Sequence, residues 1–562
     1  MTHPRRTSAL VLAGYVAIAF AYFGALLVRH PGRYLLGSGK DPQIFVWSFA
    51  WWPHAILTWQ NPFVSKAIYA PTGINLAWVT SVPGLAIVFA PVTVLFGPDV
   101  SYNLAQMLMP ALAAWTAFLL CRHLTRSTWA SAVGGYLFGF SSYMLGQELG
   151  HLHLTSVFLL PLLALATIRY VEGELDGRGA AIRLGVLFGL QFWISSEVCV
   201  TAALMLAFGL AVAYATVPGA RSRLRSLLRP LAAAVGISAI VAGPLLAYAI
   251  TGFQSGSIFE PATADGDALN LVVPTRLIAF GGSSFAHASG KLYSDLADQG
   301  LYLGLPSLLI VALYLIGGRR SPVVRFAVAA LAVAVVLDFG TDLYVGGHRE
   351  FLLPWKAVAK LPVLDNVLTV RLSVYVALAG SAIVALWTAG RRSWPGQLVL
   401  PGLAVLALVP AVWHHDFREH PERWAFFTHA QYKCFRKNDN IAIFPFGVLD
   451  NSTLWQAESD FWFRMPDGYL TPTPPAASML DPLIRNVTFT DRDPTILEIL
   501  AMAKHEKVDR IVSIAPYAHP NGTQMHRFGA LGNFEGVYLA PTCGYPSLQT
   551  GVHPTPPHPP KP

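Results

Sequence analysis

Residues 9–28 read ALVLAGYVAIAFAYFGALLV, twenty positions without a charge. A helix of that length rises about 30 Å, the thickness of a bilayer's hydrocarbon core. Arg5 and Arg6 precede it. The run is too long for the core of a signal peptide and no convincing cleavage site follows, so it reads as an uncleaved first span.

Further apolar runs of this kind recur along the chain, and composition agrees with them. Of the 562 residues 54% are hydrophobic and 12% charged, with a mean hydropathy of +0.47, outside the range of soluble domains. The net charge of +8 is no nucleic-acid signal, because the basic residues sit in small clusters between apolar runs and not on one face. They read as topology signals. Expected spans cover about residues 9–28, 101–121, 128–145, 153–170, 181–196, 198–217, 231–252, 300–316, 323–339, 368–389 and 396–413. One more apolar stretch, 78–97, holds Pro83 and Pro91, with Pro98 just beyond it. Reading it as a re-entrant or interfacial segment leaves every Arg cluster on the cytoplasmic side, from Arg5/Arg6 to Arg391/Arg392, as the positive-inside rule requires. The expectation is therefore an α-helical polytopic membrane protein with eleven crossings. Its N-terminus is cytoplasmic and its C-terminus external, in the inner membrane.

That topology sorts the polar residues. Asp41, the 146–153 turn with Glu148, His151 and His153, and Glu197 all fall at span ends on the outer face. So do the loops 253–299 and 340–367. Asp41 precedes an aromatic stretch, Phe45, Trp47, Phe49, Trp51 and Trp52, that reads as an amphipathic segment lying on the membrane surface. A carboxylate near low dielectric is costly, which favours a working role over an idle one.

From residue 414 the composition changes to soluble patterning. A buried strand is expected over 441–444, a helix from Asp493 and Pro494 to Lys504, and a second strand over 508–514. The domains read as 1–413 transmembrane, 414–551 a small external α/β domain and 552–562 a Pro-rich disordered tail. Cys121 and Cys199 fall in spans. Cys434 and Cys543 share the external domain, where an oxidising compartment permits a disulfide; two unpaired thiols fit as well. No clustered metal-ligand spacing occurs.

The layout resembles the GT-C superfamily of integral-membrane glycosyltransferases, especially bacterial lipid A aminoarabinose-transferase-like and YfhO-like proteins. The residues that carry the likeness are Asp41 in the first external loop, Trp51, Trp52 and Asn61-Pro62-Phe63 after it, Glu148/His151/His153 in the second, and Arg371 opening a late span. The likeness covers roughly residues 1–413. It implies transfer of a sugar from a polyprenyl-phosphate donor to a glycan, lipid or protein acceptor on the external face. Asp41 is then the general base and Glu148 a second catalytic carboxyl, with His151, His153, Glu197 and Arg371 binding substrate. Asp41 is a lone carboxylate where one common pattern has a paired acidic motif. The resemblance therefore fixes no cofactor and leaves a divalent cation open.

The residues alone support the same chemistry. Sugar transfer from a lipid phosphate builds positive charge at the sugar carbon and leaves an anion, so the site needs a base and fixed donors. Arg371 offers a permanently charged fork suited to phosphate. Each residue also has a structural alternative: Asp41 as a helix cap, the histidines as span anchors, Glu148 and Glu197 as snorkelling side chains, and Arg371 as the surface partner of Asp365. Trp455, Trp462 and Tyr469 suit core packing better than sugar stacking. Two other functions remain open, a transporter or lipid flippase and a non-catalytic scaffold. Transport would place ionisable groups near the midplane of broken helices, whereas these lie at span ends.

Overall fold

The structure, a computed structural model, describes all residues except 1–3, 25–26, 29–31, 253–264, 362–363, 414, 424, 445–450, 472–474, 476–483, 485–495, 514–537 and 540–562. The chain divides into two compact units. The first comprises residues 1–53 and 80–421, the second 54–79 and 422–562. Residues 54–79 carried no compositional sign of belonging with the C-terminal segment.

The first unit is helical. Among the described residues five helices are long and apolar enough to cross a membrane: Arg5–Gly24, Pro98–Thr125, Leu152–Glu172, Ser196–Thr216 and Thr369–Ala389. A sixth results if the bent pair Pro218–Ser226 and Leu228–Val241 is one span. These apolar helices make the chain a membrane protein. Two of the five, Pro98–Thr125 and Thr369–Ala389, are 72% buried over their apolar windows, whereas Ser196–Thr216 is 17% buried. A helix apolar all round yet uncovered by protein has lipid as its natural neighbour.

Every stretch expected to cross contains helix, but many helices stop short. The 128–145 stretch breaks at Phe140 and Ser141 into Thr128–Gly139 and Ser142–Gln147. The helices Leu305–Gly318 and Pro395–Leu406 are apolar but short. By length and composition the count among the described residues is therefore five or six, against the eleven of the sequence reading. The 78–97 stretch folds as two short helices, Pro83–Val88 and Ala90–Phe96, each opened by a proline near its N-terminus. Neither is long enough to cross alone.

The aromatic stretch after Asp41 corrects an expectation. It lies in the helix Asp41–Leu57, but Phe45, Trp47, Phe49, Trp51 and Trp52 are all buried, each at most 2% exposed. This helix has no polar face to offer a membrane surface. Apolar residues on every side sink a helix into the core, and Trp47 stacks on Trp51 within it.

The second unit carries a three-stranded parallel sheet in the order Ile441–Phe444, Arg510–Ser513, Tyr538–Leu539. The helix Ile496–His505 precedes the middle strand. Its expected start at Asp493 and Pro494 lies outside the described residues. Trp455 is core, stacked on Phe427 at 5.1 Å. Cys121 and Cys199 are free thiols, whereas Cys434 is disulfide-bonded. Cys543, the partner considered from sequence, and the 552–562 tail lie outside the described residues.

Candidate active site

Two loops of the first unit meet through glycine. Gly37 (φ +115) and Gly150 (φ +123) both adopt left-handed backbone conformations. A Cβ on Gly37 would stand 2.7 Å from the Cα of Gly150, and one on Gly150 would stand 2.9 Å from the ring of Pro42. Only glycine permits so close an approach at such φ. The Ser38 N–H donates to the Leu149 carbonyl at 2.8 Å across the same contact. The first loop is thereby fastened to the turn that carries Glu148, His151 and His153.

Asp41 is the first residue of the helix Asp41–Leu57, with Pro42 next. A carboxylate in the first turn lies at the positive end of the helix dipole. Its Oδ2 is 2.7 Å from Nε2 of His151. With the proton on that nitrogen, the imidazole donates and the carboxylate accepts. The Asp41 side chain is 31% exposed and that of His151 18%, so the pair is held yet reachable.

Glu148 stands in the same turn but in a different environment. It is 1% exposed, and neither carboxyl oxygen has a hydrogen-bond partner of good geometry. Burial pushes its pKa well above the usual carboxylate range, opposed only by the amide of Gln106 beside it. Burial therefore favours the protonated form of Glu148.

The other half of the cluster centres on Arg371, in the turn Thr369–Leu372 that opens the helix Ser373–Ala389. The acids it pairs with do not include Asp365, the surface partner of the structural alternative. Arg371 Nη1 donates to both oxygens of Glu197 at 3.1 and 2.9 Å, and Nε donates to Asp298 at 3.2 Å. Glu197 occupies the first turn of the helix Ser196–Thr216, whose start is capped by Ser195. Asp298 also accepts from Gln147 Nε2 at 3.3 Å, tying this half back to the turn beside Glu148. His153 Nε2 lies 3.8 Å from Glu197. The His151 and His153 rings stand edge to face with centroids 6.3 Å apart, and the Nδ1 of each is buried without a partner.

All six residues singled out in the sequence therefore belong to one neighbourhood of the first unit. Asp298 and Gln147 were missed. Asp298 lies near the end of the long 253–299 loop, whose composition gave no periodic signal, and its burial beside Arg371 is a property of the fold.

The donor set around Asp41 does not gather as metal ligands. Among the described residues one group has three His, Cys, Asp or Glu ligand atoms within 4.8 Å of one another, His123, Glu172 and Glu174. Glu174 there already pairs with Arg169 at 2.9 Å.

With this geometry described, the chain can be compared with known proteins. A family model described as "Domain of unknown function (DUF6311)" matches residues 11–366. The chain belongs to the DUF6311 family. The matched region of this DUF6311 chain contains Asp41, Glu148, His151, His153, Glu197 and Asp298 and stops five residues short of Arg371. No curated protein matches the sequence. Among solved structures, the apo oligosaccharyltransferase of Archaeoglobus fulgidus is similar at 12% identity and a TM-score of 0.49, covering 89% of this chain and 69% of that one. Arabinofuranosyltransferase AftD from Mycobacteria is similar at 13% identity and a TM-score of 0.46, covering 83% and 32%. ArnT from Cupriavidus metallidurans bound to undecaprenyl phosphate follows at 14% and 0.36, covering 81% and 85%. These neighbours are GT-C glycosyltransferases, the superfamily that the sequence layout resembles. With TM-scores below 0.5 they carry no argument about activity in this DUF6311 chain.

Proposed function

We propose that this protein transfers a sugar from a polyprenyl-phosphate donor to a hydroxyl acceptor at the external face of the membrane, with inversion at the sugar carbon. The observation that carries the reading is the contact chain from Asp41 through His151 and His153 to Glu197 and Arg371, assembled from four separate segments at helix starts and turns. A membrane protein that needed only to be embedded would not gather so many costly ionisable groups in one place.

In this reading Asp41 takes the proton of the acceptor hydroxyl. The oxygen attacks the sugar carbon, its bond to the phosphate oxygen breaks, and polyprenyl phosphate leaves with the electron pair. His151 holds the Asp41 carboxylate in orientation, as a second group holds a catalytic base in other enzymes. Arg371 is fixed by Glu197 and Asp298, and its Nη2 retains donors for a phosphate oxygen. Glu148, whose burial favours the protonated form, supplies a buried O–H donor. The acceptor side faces Asp41 and the leaving-group side faces Arg371.

The test is reconstitution of the purified full chain in liposomes with polyprenyl-phosphate sugars of several kinds. The proposal expects lipid-linked sugar to be consumed and a glycosylated product to appear. Solute or lipid flux without consumption would replace it with a transporter, and neither result would leave a scaffold.

A further inference from the structure

A half-open groove of about 320 Å³ lies between the end of the first helix and the short strand that leads to Asp41. Ala21, Phe23, Leu35, Leu36 and Phe417 give it apolar walls, and Arg418 stands among them. Leu35–Leu36 pairs antiparallel with Arg418–Glu419, placing Arg418 directly across from Leu36. Phe23 and Phe417 meet edge to face at 5.6 Å and close one side.

Among the described residues the Arg418 guanidinium has no acidic partner. Its Nη2 donates to the Val412 carbonyl at 3.2 Å. The acids next to it are engaged elsewhere, since Asp416 takes both donors of Arg276 at 2.9 and 3.1 Å and Glu419 accepts from the Gly39 N–H at 3.0 Å. A guanidinium without a counter-charge on an apolar wall complements a ligand that is anionic at one end and hydrocarbon at the other.

Position selects the ligand's role. Leu36 precedes Asp41 by five residues, at most about 18 Å of extended chain. The Tyr102 hydroxyl donates to the Leu36 carbonyl at 2.6 Å, which fixes this wall to the helix Pro98–Thr125. Through its Leu36 wall the groove therefore leads directly into the Asp41 end of the cluster. We infer that it holds the apolar part of an anionic lipid, and that this lipid is the acceptor whose hydroxyl meets Asp41. The acceptor assignment rests on the transfer reaction proposed above; the lipid site does not.

The experiment measures retention of phosphatidylglycerol, which carries both an anionic phosphate and free hydroxyls, by the purified full chain using native mass spectrometry. Phosphatidylcholine with the same acyl chains and undecaprenyl phosphate serve as comparison and competitor. Phosphatidylglycerol is retained, phosphatidylcholine is not, and undecaprenyl phosphate does not displace it. Arg418→Gln removes the charge and weakens retention about tenfold, the worth of one charge-assisted hydrogen bond. Ala21→Trp fills the groove from an exposed wall position and weakens it comparably, with thermal unfolding unchanged in both. Equal retention of the two phospholipids, or full retention by both variants, overturns the site. Displacement by undecaprenyl phosphate overturns the acceptor role and gives the groove to the donor. Loss of phosphatidylglycerol in both variants of a chain that consumes no lipid-linked sugar leaves a lipid site and removes the acceptor role.

Discussion

Asp41 and Arg371 stand at opposite ends of one polar cluster, and their surroundings differ in kind. The carboxylate of Asp41 is held by a histidine and remains 31% exposed. The guanidinium of Arg371 is 14% exposed and shared between two carboxylates. A group that must accept a proton from an incoming hydroxyl has to be reachable, whereas a group that must keep a fixed position gains from being clamped. Under the proposed transfer, one end suits chemistry with a mobile partner and the other rigidity.

The contrast is broken most severely at the reachable end. Asp41→Asn keeps size and removes the base, and turnover of lipid-linked sugar by the purified protein should fall by about 10² to 10⁴-fold with expression and fold intact. At the clamped end, Arg371→Lys keeps the charge but cannot reach Glu197, Asp298 and a phosphate together. Donor kcat/KM should drop about a hundredfold, with a lower Tm because a buried pair is left incomplete. Unchanged donor kinetics with a lowered Tm would make Arg371 structural alone.

Between the ends, Gly150→Ala tests the fastening of the two loops. A Cβ there meets Pro42 at 2.9 Å on a backbone with φ +123, so the turn must shift and His151 with it. Activity should fall about tenfold or more, since a displacement near 1 Å at a reacting group costs up to about 10², while donor binding is spared. Donor binding lost to the same extent would mean that the whole cluster had moved.

The smallest effect is one of pH on stability. Burial raises the Glu148 pKa, so between the ordinary and the raised value the folded chain binds a proton that the unfolded chain has released. Stability contributed by this group is therefore full at low pH and declines as pH rises through that window. Glu148→Gln is neutral throughout and lacks the decline, so the Tm of the variant relative to wild type should increase as pH rises above the ordinary carboxylate range. A constant difference would contradict the raised Glu148 pKa. Its loss of activity should be milder than that of Asp41→Asn.

Much of the site was legible because its residues stand where apolar periodicity stops. Asp41, Glu148, His151, His153, Glu197 and Arg371 were each marked by an ionisable group at the edge of a hydrophobic run. Their partners were not, because pairing is a property of the tertiary fold. For Arg371 the sequence offered only the nearby Asp365 as a structural partner beside the phosphate reading, whereas the helix start brings it to Glu197 and Asp298. Gly37 and Gly150 had no local sign that one would meet the other. The aromatic helix after Asp41 was misplaced for the converse reason: a run apolar on every face has no moment to orient it, and only packing decides between membrane surface and core. Helix lengths were overestimated where hydropathy continued across breaks such as Phe140 and Ser141.

A donor titration of wild type, Asp41→Asn and Arg371→Lys in matched membranes, reading kcat and KM for a polyprenyl-phosphate sugar, puts the division between the two ends to the most direct test. Asp41→Asn should lose kcat with donor KM unchanged, and Arg371→Lys should raise donor KM. Wild-type kcat in Asp41→Asn would contradict the account.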